Sequence, residues 1–170
     1  MQLDVALLEP APTKLVANLP YNIATPIVAE SLNLVQLDRW CVMVQREVAD
    51  RFFAVPSTKA YGAVSVLVQL AAERTGLHPV SRDVFRPKPN VESALVAFRR
   101  TGPAAAPAVK RLVEAAFAHR RKTLANSLAL AGVASRDRAA EALAAVGRGP
   151  SVRAEELEPT EFPALAEALR

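Results

Sequence analysis

Residues 14–26 read Lys14-Leu15-Val16-Ala17-Asn18-Leu19-Pro20-Tyr21-Asn22-Ile23-Ala24-Thr25-Pro26. The apolar run Leu15-Val16-Ala17 delivers Asn18, and Leu19, Pro20 and Tyr21 follow at once before a second apolar run, Ile27-Val28-Ala29. Pro20 fixes its own φ and pushes the residue before it towards extended geometry, so a strand cannot pass straight into a helix here. The stretch therefore predicts a buried strand, a rigid turn and a helix. It displays an amide, two carbonyls and an aromatic ring at the carboxyl end of a strand, where open α/β sheets bind ligands. A nucleobase amino group is a poor nucleophile because its lone pair is delocalised into the ring. The Asn18 side-chain oxygen and the Pro20 carbonyl together suit both N–H groups of such an amine, and Tyr21 suits stacking on the base. The same residues also suit a plain strand-to-helix turn with an Asn N-cap and a Pro near the first helical position.

Outward from this stretch the chain alternates. Residues 1–13, with Leu3, Val5, Leu7 and Leu8 before Pro10 and Pro12, read as a short helix or loop and then an extended linker. A helix fits Thr25–Leu34, with Ile27, Val28, Leu32 and Leu34 inward. Trp40-Cys41-Val42-Met43-Val44 is a continuous apolar run of the kind buried on both faces of a parallel sheet, and it places Cys41 in the core. Glu47–Phe53 reads as a short helix and Pro56-Ser57-Thr58 as a loop. The apolar spacing over Tyr61–Glu73 favours a helix. Residues 75–84 and 93–99 read as a strand pair. Between them Phe85-Arg86-Pro87-Lys88-Pro89-Asn90 forms an extended polar loop that two prolines keep from becoming helix. Gly102–Pro107 marks a boundary. Beyond it helices fit Ala108–Ala118, Lys122–Ala131, Ser135–Ala145 and Pro163–Leu169, stopped by Gly132 and Gly147 and capped by Ser135 and Thr160.

The 170 residues suffice for a sizeable core. The net charge of +4 suits a polyanion partner. A single cysteine excludes an internal disulfide and a multi-cysteine zinc site, and no His/Asp/Glu cluster has metal-ligand spacing, so no metal is expected. No membrane-length apolar span occurs, and a cytoplasmic protein is expected. Phe85 beside Arg86 on a stiffened loop is a candidate base-stacking residue or a hydrophobic plug beneath that loop. Arg86 and Lys88 flank it as candidate phosphate contacts. Arg120-Arg121-Lys122 is a solvated helix end or, with Lys110, Arg111, Arg99 and Arg100 close in sequence, a phosphate-binding face. Glu47, Asp50 and Arg51 read as structural helix-end charges.

Asn18-Leu19-Pro20-Tyr21-Asn22 resembles motif IV of the KsgA-type ribosomal RNA adenine N6,N6-dimethyltransferases. Further stretches resemble the same family in its order: Gln45–Arg51, Tyr61–Val66, Val84–Ala94 and Ala116–Leu124. The resemblance implies an α/β fold, namely the C-terminal part of a Rossmann-like methyltransferase domain (1–101) followed by a small all-helical RNA-binding domain (107–170). It implies transfer of methyl groups from S-adenosylmethionine to adenines of small-subunit ribosomal RNA in the pre-30S particle, by a protein expected to be a monomer. Asn18, Leu19, Pro20, Tyr21 and Phe85 would be catalytic, with Asn18 also facing the cofactor. Arg86, Lys88, Arg120, Arg121 and Lys122 would contact RNA. A non-catalytic ribosome-assembly factor and an antibiotic-resistance-type methyltransferase of large-subunit ribosomal RNA are the alternatives.

The family's Gly-rich loop and ribose-binding carboxylate have no counterpart here, since no Gly precedes Gly62 and only Asp4 and Glu9 are acidic before the Asn18 motif, neither of them after a recognisable strand. The family's first third is thus expected to be missing, through a truncated or misassigned start or through natural loss. Weak or no binding of S-adenosylmethionine, free strand edges and exposed apolar surface are expected to follow.

Overall fold

The computed structural model describes residues 8–170. The helix or loop expected at the start of the chain falls largely on residues 1–7, outside the described residues. Strand β1 (Lys14–Asn18) leads through helix α1 (Ala24–Ser31) to β2 (Arg39–Gln45). Helices α2 (Arg46–Phe52) and α3 (Ala63–Ala71) follow, then the hairpin of β3 (Ala72–Val80) and β4 (Ser93–Arg100). The remaining helices are α4 (Pro107–Ala118), α5 (Leu124–Leu130), α6 (Arg136–Ala145) and α7 (Glu161–Ala168).

The sheet runs in the order β1-β2-β4-β3. β1 and β2 are parallel, whereas β4 is antiparallel to both neighbours. α3 ends two residues earlier than its spacing predicts, because Ala72 and Glu73 enter β3 and pair with Arg100 and Arg99. Strand pairing to β4 overrides helix propensity there.

One face of the sheet is packed. Trp40, Val42 and Val44 alternate with half-buried Cys41 and Met43, and Ala94, Val96 and Phe98 join them on the packed side. α1 adds Ala24, Val28 and Leu32, α2 adds Val48, Ala49 and Phe52, and α3 adds Val64, Val68 and Ala71. Trp40 stacks on Phe98 with ring centres 5.0 Å apart. The other face carries no layer among the described residues, and Val16 there is 74% exposed. Burial of the β2 run on both faces, and Cys41 as a core residue, are thereby corrected. Cys41 is half-buried and lines an open groove of about 430 Å³ with Lys14, Val16, Arg39 and Ala97. Nothing among the described residues pairs with the outer edge of β1.

Helices α4–α7 bury a second apolar cluster built on Leu112, Val113, Leu124, Leu128, Leu143 and Phe162. α3 serves both clusters, with Val66 and Leu67 turned to the second. Ser135 caps α6 by accepting from the Arg138 N–H at 3.2 Å. Thr160 precedes α7 without a side-chain cap, since its backbone is already helical at φ −67° and ψ −15°. Gly132 and Gly147 end α5 and α6 at φ +69° and +75°, the left-handed geometry in which glycine carries no Cβ penalty.

Candidate base-binding cleft

The cleft is set by where β1 stops. The Leu19 N–H donates to the Met43 carbonyl at 3.1 Å and continues the β1–β2 ladder one residue past the strand. The Leu19 side chain, 6% exposed, anchors the turn in the packed core. The Ile23 N–H then closes the turn on the Pro20 carbonyl at 3.1 Å. One lone pair of that carbonyl is thus used and the second is left.

Helix α1 begins with Ile23 as its N-cap residue and no side-chain cap. Asn18 is therefore not a helix cap. Its carboxamide is exposed at the carboxyl end of β1 and makes no hydrogen bond within the described residues.

The β3–β4 connection forms the second wall. A 3₁₀ turn, Arg82–Val84, starts it, with the Ser81 hydroxyl accepting from the Asp83 N–H at 3.2 Å. Glu92 accepts from the Arg82 N–H at 3.1 Å, and Lys88 pairs with Asp83. These local ties fix the loop that presents half-buried Phe85. Asn18, Leu19, Pro20, Tyr21 and Phe85 line one open cleft of about 350 Å³, together with Pro87 and Pro89. In the sequence those two prolines read only as loop stiffeners, and their place in the wall follows from the loop folding back over the β1 turn.

The Tyr21 hydroxyl lies 2.6 Å from the Ser93 hydroxyl. Ser93 stands within the stretch Val84–Ala94 that carries the family resemblance, yet the sequence alone gives it no role. Its buried position in the first residue of β4 is the signal that only the fold supplies.

The basic residues are sorted by their partners. Arg120 lies outside the cleft and, although exposed, is tied to the protein by several hydrogen bonds. It donates to the Tyr61 carbonyl at 2.9 Å, to the Lys59 carbonyl at 3.3 Å, and to Glu155 at 3.2 Å. Arg121 and Lys122 beside it are exposed and have no ion pair among the described residues, and the same holds for Arg86 at the cleft.

The sequence proximity of Lys110, Arg111, Arg99 and Arg100 does not become one face. Arg99 pairs with Glu73 across the hairpin, and Lys110 with Glu30 on α1 at 2.8 Å. The Arg100 guanidinium donates to the carbonyls of Leu32, Leu34 and Leu37, past the end of α1, and sits 5.2 Å from the centre of the Trp40 ring. Arg46–Asp50 and Arg51–Glu47 pair one helical turn apart on α2, as structural charges do.

No group of three or more His, Cys, Asp or Glu side chains among the described residues is placed to hold a metal ion. No helix among them is long and apolar enough to cross a membrane.

The family model described as ribosomal RNA adenine dimethylase matches residues 6–159. The chain is 49% identical over 168 residues to ribosomal RNA small subunit methyltransferase A of Rubrobacter xylanophilus, covering 97% of this chain and 63% of that protein. It is 48% identical to the protein of the same name in Streptomyces griseus, covering 93% and 56%. The chain thus spans between about half and two thirds of the length of these curated relatives.

Among solved structures, a dimethyladenosine transferase from Plasmodium falciparum superposes over 95% of this chain and 68% of its own, with a TM-score of 0.75 at 19% identity. That likeness shows the shared methyltransferase fold. The 23S rRNA methyltransferase ErmE superposes over 98% and 69%, with a TM-score of 0.62 at 26% identity. Matched over nearly its whole length by the family model, the chain belongs to the ribosomal RNA adenine dimethylase family.

Proposed function

We propose that this chain carries the adenine-recognising and RNA-binding part of a ribosomal RNA adenine N6,N6-dimethyltransferase that acts on small-subunit ribosomal RNA in the pre-30S particle. The observation that supports this most is the meeting of the contiguous Asn18, Pro20 and Tyr21 with Phe85, which is distant in sequence, in one open cleft. In this reading the Asn18 oxygen and the remaining lone pair of the Pro20 carbonyl accept the two N–H groups of an adenine N6 amine. Such acceptance favours a pyramidal nitrogen and aims its lone pair outward. Tyr21 and Phe85 hold the two faces of the base. A base inside a duplex cannot reach such a cleft, so the target must be single-stranded or extruded.

Residues 107–170 act as the RNA-binding helical domain, with Arg121 and Lys122, and Arg86 at the cleft, in contact with phosphates. Arg120 and Lys88, each in a local ion pair and still partly exposed, contact RNA beside them. The greater identity to small-subunit enzymes than to ErmE favours the small-subunit substrate over the large-subunit alternative.

S-adenosylmethionine, which the family implies as methyl donor, finds no glycine loop or ribose-binding carboxylate at the cleft among the described residues. The cleft lining holds neither a glycine nor a carboxylate, and the first glycine of the chain is Gly62. The proposal therefore assigns these residues base recognition only.

The test compares adenosine with purine riboside, which lacks the 6-amino group, in single-stranded RNA titrated against the chain. Adenosine should bind more tightly, and Asn18→Ala should reduce the preference, leaving the Pro20 carbonyl as one acceptor, without lowering the melting temperature. Phe85→Ala should weaken both ligands by about 1–3 kcal/mol. Equal binding of the two ribonucleosides to the unaltered chain would sink the reading. Neutralising Arg121 and Lys122 should flatten the salt dependence by roughly 0.7 for each single-strand phosphate no longer neutralised.

A further inference from the structure

Ser93 is a polar residue where the packing asks for an apolar one. It is 1% exposed, begins the inner strand β4, and is paired with Gln45 on one side and Val80 on the other. Its neighbour Ala94 is equally buried. A hydroxyl in such a place costs free energy unless it is hydrogen-bonded. The only side-chain partner it has among the described residues is the Tyr21 hydroxyl at 2.6 Å.

Tyr21 is in the opposite situation. It lies in a turn outside any helix or strand, with its ring only half-buried at the cleft. A ring so placed is free to change rotamer unless its far end is held. The Ser93 bond supplies that hold, tying a turn residue to a strand paired on both sides. The same serine closes the 81–92 loop whose Phe85 forms the other wall. The Arg46 N–H binds the Glu92 carbonyl at 3.0 Å and fixes that loop end to the start of α2. Both walls of the cleft are thus referred to one point of the sheet.

We propose that Ser93 is a positioning residue, whose buried hydroxyl holds the Tyr21 ring in the plane that stacks on the base. The proposal rests on the base-binding reading of the cleft. Ser93 acts on the ligand only through Tyr21, and its benefit is preorganisation: the ring is ordered before the base arrives, so less freedom is lost on binding.

The experiment uses the 170-residue chain and a single-stranded RNA in which one adenine is replaced by 2-aminopurine, whose fluorescence falls on stacking. Ser93→Ala and Tyr21→Phe each remove one end of the same hydrogen bond. Each should weaken binding roughly 2- to 10-fold, the span of one net hydrogen bond. The double variant should lose no more than either single one, because the two residues act as a unit.

In parallel, 3-fluorotyrosine labels both tyrosines of the chain. The Tyr21 resonance should move in Ser93→Ala, while that of Tyr61, buried and bonded to the Leu157 carbonyl, should not. Two results overturn the role of Ser93: an unmoved Tyr21 resonance, or a Ser93→Ala loss that persists in full in the Tyr21→Phe background, which marks a general effect on the strand. Failure of the base-binding reading shows separately, as 2-aminopurine binding untouched by Tyr21→Ala. That result removes the proposed function and this role together, even where the fluorine signals confirm the bond.

Discussion

The two faces of the sheet are made from the same strands and from residues of similar polarity, yet they meet different fates. On one face Trp40, Val42, Val44, Ala94, Val96 and Phe98 are each at most 2% exposed beneath α1, α2 and α3. On the other, Val16 is 74% and Leu95 36% exposed, and Cys41 and Met43 are half-covered. An apolar residue stabilises the fold only through the area it removes from water. The contrast therefore teaches that β2 is composed for two covers and wears one among the described residues. Exposed apolar residues gathered on one face are the kind of feature that promotes association.

Substitutions on the two faces should separate accordingly. The largest effect should come from Trp40→Ala, which removes the ring stacked on Phe98 and beneath Arg100. A loss of about 3–5 kcal/mol is expected in chemical denaturation. A loss below about 1 kcal/mol, the range of ordinary surface changes, would show that the packed face is not the structural core.

Arg100→Ala comes next. It strips the donor from three backbone carbonyls near the end of α1, at a cost of about 1–3 kcal/mol. If Arg100 instead serves RNA, affinity will fall and stability will not.

Cys41→Ser should cost about 1 kcal/mol or less, and the thiol should react with a disulfide reagent in native buffer. A thiol protected until unfolding would place it under a cover.

The smallest effect belongs to Val16→Ser. Stability should stay within about 0.5 kcal/mol while concentration-dependent self-association, measured by sedimentation, declines. A cost like that of Trp40→Ala would erase the distinction between the faces.

Much of this was legible in the order of residues. Lys14–Asn18 falls on β1 as read, because an apolar run stopped by Leu19-Pro20 admits few alternatives. The hairpin, the polar loop and the helical tail follow from equally local signals. Helix ends were less legible: α1 stops at Ser31 rather than Leu34, and α3 gives up Ala72 and Glu73 where pairing with β4 competes with local preference. The cleft was legible in its parts, since both walls sit on proline-stiffened turns.

The partners of the charges were not. Arg120 answers to Tyr61 and Glu155, Lys110 to Glu30, and Arg100 to carbonyls beyond α1. None of these partners is near in sequence, so a run of cations reads as a solvated or RNA-facing surface until the fold assigns its contacts.

The sequence by itself determined the local conformations and the family, because backbone sterics and apolar period act over a few residues. Only the tertiary structure decided which apolar residues are covered and which cations are free. It also decided that Ser93, seventy-two positions from Tyr21, lies within one hydrogen bond of it. Burial and pairing are properties of surfaces in contact, and contact between distant segments is settled only when the chain has closed upon itself.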